Sequence, residues 1–312
     1  MTGTGIQSDP YIITSAEELY EISSLGDGDT YFRLGSDIDF NGTPYAEKFE
    51  PIPVKFRELD GNGHCIRNIY INTQSSASVF NVIRNSNGAQ TAIKNLTLEN
   101  VSIIASYVNL FTSDSGSNVV NLYGCTLLLD LSHNVAFSSN SSYGSLFCNN
   151  YVTVNYELCT VSIKAIMRNP FPLISRANFY RSHLCLDLDI ISGLSSYVQS
   201  AAVFDDSYLT DSYLTGSISY RGSGDVNYFR IANNFCVAQN FYMAIELVGR
   251  SMFYCDMSTK TDCFFDSELM NGAVHNQYNS SNCNKFHALT TAQCKDADYL
   301  NSIGFICAGD SP

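Results

Sequence analysis

The chain has 312 residues, 17 of them basic and 30 acidic, for a formal charge of −13. A charge of that sign repels nucleic acid and anionic membrane, so neither is expected as a partner. Its 20 Tyr and 19 Phe are more aromatic residues than a disordered chain carries, and its length suits a large core or one long solenoid.

Asp9-Pro10-Tyr11-Ile12-Ile13 reads as a short strand. Ser15-Ala16-Glu17-Glu18 has capping-box spacing, and Leu19, Ile22 and Leu25 continue at helical intervals. A helix is predicted over 16–25, stopped by Gly26 and Gly28. Residues 31–34 and 37–40 are the next extended pieces. Asp60-Gly61-Asn62-Gly63 is turn chemistry, because Gly and Asn tolerate positive φ and Asp bonds its own backbone. Ile66, Ile69 and Ile71 then resume an apolar row, with Tyr70 on the opposite face.

From Leu59 to about Phe265 a degenerate repeat follows. Strand-like cores recur at 69–71, 96–98, 127–129, 161–163, 186–188, 216–218 and 243–245. Each is followed by a second apolar mark, at 79–80, 110–111, 146–147, 173–174, 203–204, 228–229 and 252–253. Polar turns such as Ser113-Asp114-Ser115-Gly116 and Ser138-Ser139-Asn140-Ser141 lie between. A coil of this kind cannot bury its apolar face alone, so it is expected to stack in parallel on its neighbours. A β-sandwich or antiparallel barrel would instead show hairpin turns every 8–12 residues or so, which Leu127-Leu128-Leu129 and the long Ser/Asn stretches do not fit. Near the C-terminus, residues 288–300 read as a helix, with Thr290 and Gln293 at capping-box spacing.

Leu59-Asp60-Gly61-Asn62-Gly63-His64, with Ile66 after it, resembles the first full coil of right-handed parallel β-helices, the pectate-lyase-like solenoids. The Pro-Tyr-Ile-Ile-Thr-Ser-Ala-Glu-Glu-Leu entry from Pro10 resembles the N-terminal caps of β-helical phage and bacterial surface proteins. Leu289-Thr290-Thr291-Ala292-Gln293, with Lys295-Asp296 after it, resembles the tails that close such domains. The expectation is an all-β chain: a single right-handed parallel β-helix with short helical caps at both ends. Residues 1–55 would form the N-terminal cap, 56–270 seven or eight coils, and 271–312 the C-terminal cap. At strand spacing the rod would be about 35–40 Å long. With both ends capped, the chain reads as one complete module.

The 11 Cys are scattered and odd in number, with no CxxC and no Cys/His group at zinc spacing. They read as reduced, buried small hydrophobes. Cys159 and Cys185 are expected to stack in successive coils. Met1-Thr2-Gly3-Thr4-Gly5 opens no signal peptide, and no 18-residue apolar run suggests a transmembrane helix. The chain is therefore expected to fold in a reducing host cytoplasm, where Asn41 and Asn95 carry no glycosylation message.

The best carboxylate pair is Asp187 and Asp189, which strand alternation puts on one outward face about 7 Å apart. Polysaccharide lyases of the resembling fold hold Ca²⁺ on such carboxylates and use a Lys or Arg as base. Lys164 one coil before and Arg221 one coil after could serve here. Against that stands an outward ladder in which Lys164, Asp189 and Arg221 neutralise one another, the reading preferred here. Asp205, Asp206 and Asp211 read as a solvated acidic loop, too few oxygens for a calcium site. His64 is read as structural, and His133, His183, His275 and His287 show no motif. No catalytic residue, metal or cofactor is expected. Tyr70, Tyr208, Tyr213 and Tyr220 are candidates for a sugar-stacking outer surface, as are Tyr107, Tyr197 and Tyr242, since an aromatic face with a polar tip suits glycans.

The resemblance implies a non-enzymatic virion protein: a phage appendage, fibre, tail spike or capsid decoration contacting host-surface glycans or neighbouring virion subunits. It further implies a homotrimer. The alternatives are a polysaccharide lyase or glycoside hydrolase using Asp187, Asp189 and a basic residue, and a bacterial cell-surface adhesin.

Overall fold

The computed structural model describes residues 1–73, 76–83, 90–105, 107–113, 118–132, 152–167, 174–190, 202–220, 229–232, 236–248, 253–255, 259–270 and 286–303. Among them the strands form three parallel faces. Sheet 1 has ten strands running from Tyr11–Ile13 to Thr259–Thr261, and sheet 2 has ten from Ile38–Asp39 to Phe286–Leu289. Sheet 3 is in two parts, of three and four strands. One winding runs Ala177–Tyr180 in sheet 1, His183–Ile190 in sheet 2 and Ala202–Asp205 in sheet 3. The next begins at Tyr208–Thr210, in register on the first. This is a parallel β-solenoid, and the all-β expectation holds.

The repeat visible in the sequence marks two strands per winding, and the structure has three. The cores from Ile69 to Ile245 belong to sheet 2, and the described second marks belong to sheet 3. Sheet 1 was hidden because its strands run to only three to six residues in these windings and turn few side chains inward: Leu59, Ile93, Phe179, Leu209 or Ala238. The pieces before residue 56 are already members of these sheets. Tyr31–Leu34 pairs with Glu58–Asp60, and Ile52–Val54 pairs with Ser76–Val82.

In-register stacking puts like on like inside. One row of sheet 2 reads Ile66, Leu98, Leu127, Val161, Leu184, Leu214 and Met243, all buried. Phe80 stacks on Phe111 with centroids 5.0 Å apart, and Tyr156 on Phe179 at 4.5 Å. Each such side chain contributes roughly 1.5–3 kcal/mol by leaving water.

In the two earliest windings the corner between sheets 1 and 2 is longer, 35–37 and 61–64, and between Lys94 and Tyr242 it takes two residues. The first is left-handed in winding after winding: Asn95, Gly124, Leu158, Arg181, Asp211, Asn240 and Asp262, with φ between 49° and 61°. Its N–H donates across to the next winding, as from Gly124 to the Glu157 carbonyl at 2.9 Å and from Leu158 to the Tyr180 carbonyl at 3.1 Å. The second residue is buried, and in five windings it is a Cys or Ser: Cys125, Cys159, Ser182, Ser212 and Cys263. The first four donate to the carbonyl two residues before them, Ser182 to Tyr180 at 2.9 Å and Cys159 to Glu157 at 3.3 Å. A short donor there satisfies a carbonyl that is costly to bury without a partner, while Leu96 and Phe241 fill the same position with apolar side chains.

Cys159 therefore stacks on Cys125, not on Cys185 as expected. Cys185 lies out on sheet 2, opposite Ser162 and Thr215. The hydrogen bond with Cys125, together with burial, pushes the Cys159 thiol up, so it stays protonated.

The helices are shorter than the periodicity predicts. Ser15 caps α1 (Ala16–Tyr20) by accepting from the Glu18 N–H, and the chain breaks at Glu21 before α2 (Ile22–Leu25). The Glu18 carboxylate takes the Thr14 N–H and the N-terminal ammonium in place of closing the capping box. At the other end, 288–300 divides into strand Phe286–Leu289, α3 (Thr291–Cys294) and α4 (Ala297–Ser302); the Thr290–Gln293 capping box is present. Among the described residues no helix is long and apolar enough to cross a membrane.

Candidate contact surface

Alternation along His183–Ile190 turns Leu184, Leu186 and Leu188 into the core and leaves Asp187 and Asp189 outside. Each carboxylate accepts from the serine opposite it in the next winding: Ser217 to Asp187 and Ser219 to Asp189, both at 2.8 Å. Lys164 lies opposite Asp187 in the preceding winding, and Ile166 lies opposite Asp189. The expected ladder of Lys164 with Asp189 is thus displaced by two residues. Arg221 lies outside the described residues. Among the described residues no three His, Cys, Asp or Glu side chains gather as a metal site.

The acidic group separates onto two corners. Asp206 is the left-handed residue between sheets 3 and 1, where Arg176 Nε approaches it at 3.7 Å. Asp211 belongs to the corner between sheets 1 and 2 and accepts from Asn240 at 2.9 Å. His64 meets Asp37 at 3.2 Å. His183 stacks on Tyr213 with centroids 4.1 Å apart, and burial pushes its pKa down. His133, His275 and Tyr197 lie outside the described residues, as do the Tyr107 and Tyr220 side chains.

The tyrosine candidates do not share a surface. Tyr70 is exposed on sheet 2. Tyr213 and Tyr242 are on sheet 2 as well, and Tyr213 packs beside the apolar cluster of Tyr242, Phe264, Leu289, Cys294 and Leu300 that the C-terminal helices help to form. Tyr208 projects from sheet 1 and is 52% exposed.

Around Tyr208 the outer face of sheet 1 has a composition that the sequence order conceals. One outward row reads Tyr123, Glu157, Tyr180 and Thr210 in successive windings, and the row beside it reads Asn121, Asn155, Asn178 and Tyr208. Tyr123 and Tyr180 are 43% and 37% exposed. The asparagines form an amide ladder: Asn178 donates to Asn155 at 2.8 Å, Asn155 to Asn121 at 2.7 Å, and Asn121 to Gln90 at 3.1 Å. At the adjoining corner Leu158 is exposed in the left-handed region, and the Arg181 guanidinium lies 4.8 Å from the Tyr180 ring centre. Sequence reasoning named Tyr208 and missed Tyr123 and Tyr180. Their signal is the repeated asparagine, separated by 34 and then 23 residues, which fixes the register across windings.

No family model matches the chain. Over 114 residues, 34% of this chain, it is 40% identical to Halomucin of Haloquadratum walsbyi. The chain spans about 1% of the length of that curated relative. Among solved structures it is similar to a crystal structure described as a putative immunoglobulin A1 protease from Bacteroides ovatus, at 16% identity and a TM-score of 0.45, over 97% of this chain and 88% of that one.

Proposed function

We propose that the protein is a non-enzymatic structural and binding rod: a phage appendage, spike or capsid decoration that contacts host-surface glycans or neighbouring virion subunits. The observation that carries this reading is the engagement of Asp187 and Asp189. Their carboxylates are tied to Ser217 and Ser219 of the next winding, so they hold windings together where a lyase would hold metal. The Cys/Ser corners, the stacked interior and the capped C-terminal end supply a stiff body on which outward side chains can vary. The virion setting is supported by the resemblance of the entry from Pro10 to the N-terminal caps of β-helical phage and bacterial surface proteins, while the first coil and the tail resemble β-helical domains more widely.

Mass spectrometry of purified, nuclease-treated virions tests the setting: peptides of this chain are expected at structural-protein abundance, and their absence ends it. Reducing-end and unsaturated-product assays on polysaccharides test the rest. Turnover that disappears in Asp187→Ala and Asp189→Ala would establish an enzyme.

A further inference from the structure

We infer that the outer face of sheet 1 from Asn121 to Tyr208 binds an uncharged carbohydrate chain running along the stack of windings; this rests on the contact role proposed above and gives it a place and a ligand class. Tyr123 and Tyr180 occupy one row two windings apart, a separation of about 10 Å from the spacing of hydrogen-bonded strands. Tyr208 stands one winding further along in the adjacent row. All three rings are exposed, Tyr180 with the Arg181 guanidinium over one face, and each has a flat apolar face with a polar tip, which suits the C–H face and hydroxyl rim of a pyranose.

Between the rings lie groups that recognise hydroxyls. Asn155 donates one N–H to Asn121 and accepts one from Asn178, which leaves its second N–H and second lone pair for a ligand. The Glu157 carboxylate, in the row between Tyr123 and Tyr180, can accept from two neighbouring hydroxyls at once. Within these two rows Glu157 is the one formal charge, and Arg181, over the Tyr180 ring at the adjoining corner, offsets it, so the face has no net charge of its own to hold a polyanion against the overall charge of −13. Leu158, at the corner beside Glu157, adds an exposed apolar side chain next to the same face.

The test is calorimetric titration of the full chain with cellohexaose, chitohexaose, maltohexaose and mannohexaose, with hexagalacturonate as the charged control. At least one neutral hexasaccharide is expected to bind, with an affinity that holds when NaCl rises from about 0.05 to about 0.5 M. Tyr123→Ala with Tyr180→Ala should weaken it about tenfold or more, and Asn155→Ala should weaken it less. Tyr70→Ala, an exposed tyrosine on sheet 2, should leave it unchanged. All four positions are on the surface, and matching thermal melts would separate lost contact from lost folding. The inference falls if none of the four neutral sugars binds, or if binding survives the double tyrosine variant. It also falls if that variant instead abolishes self-association in sedimentation, which would make the face an interface between copies of this chain. Cleavage of a bound sugar would overturn the non-enzymatic reading and leave this surface standing.

Discussion

In the windings that carry residues 31–72, charge holds the outer faces. Arg33 pairs with Asp60 at 3.3 Å, and Arg67 reaches Asp39 at 3.1 Å and Asp37 at 3.6 Å. Asn68 stands in the left-handed region in the middle of its strand, donates to Asp39 at 2.7 Å and accepts from Asn100, likewise left-handed, at 2.6 Å. In the windings from Asn118 to Thr210, sheet 1 presents tyrosines and an amide ladder. Both regions keep the same interior of stacked Ile, Leu, Val and Phe. The inward rows therefore set the winding, and the outward rows are free to differ from one end to the other.

The largest expected effect tests the shared backbone. Gly216 has a φ of +113°, and a Cβ there would lie 2.0 Å from the Leu186 carbonyl oxygen of the winding below. Gly216→Val should give no soluble folded protein, measured as recovered yield, because the obstacle is backbone. Next come Phe80→Ala from the first windings and Phe179→Ala from the middle ones. Each removes one ring of a stacked pair and should cost about 3–5 kcal/mol in urea melts. Clearly unequal values would break the claim of a common interior.

Asn68→Ala should cost about 2 kcal/mol, since it loses two side-chain hydrogen bonds and puts a less tolerant residue in a left-handed position. Asn155→Ala, in the extended amide ladder of the middle windings, should cost less than about 1 kcal/mol in the same melts. Leu158→Gly should raise stability by about 0.5–1 kcal/mol by relieving backbone strain, the reverse of the usual direction. The smallest effect is in pH. The Cys65 N–H and the His64 ring hold Asp37 below the usual carboxylate range, and the Asn68 side chain and Asn41 N–H do the same for Asp39. Their contribution is full above an ordinary Asp value of about 3.9 and is lost as pH falls through the lower folded values. Acid melts followed by hydrogen exchange should show residues 37–68 opening before 118–210.

Sheet 2 was legible because its strands are long enough to alternate, as Leu184-Cys185-Leu186-Asp187-Leu188 does. Asn95 and Asn240 mark corners by their own chemistry, but Leu158 and Arg181 take the same left-handed corner with no local signal, because the stacked neighbours impose it. The contact surface was less legible still. Tyr123 and Tyr180 become companions only once Glu157 is placed between them, and that needs the register of three windings whose lengths differ.

The two-residue corner between sheets 1 and 2 has a consequence for how the molecule can grow. Between those sheets an insertion has to rebuild the N–H to carbonyl bonds that join one winding to the next, as Gly61 and Gly63 do in the longer corner at 61–64 by donating to the Lys94 and Asn95 carbonyls. From sheet 2 to sheet 3 the linker varies freely: Asn72 and Ser76 are nearly adjacent, and Ile190 and Ala202 are well apart. One edge of the molecule thus behaves as a fixed spine, and new sequence, natural or engineered, should be accepted along the opposite margin with the spine left intact.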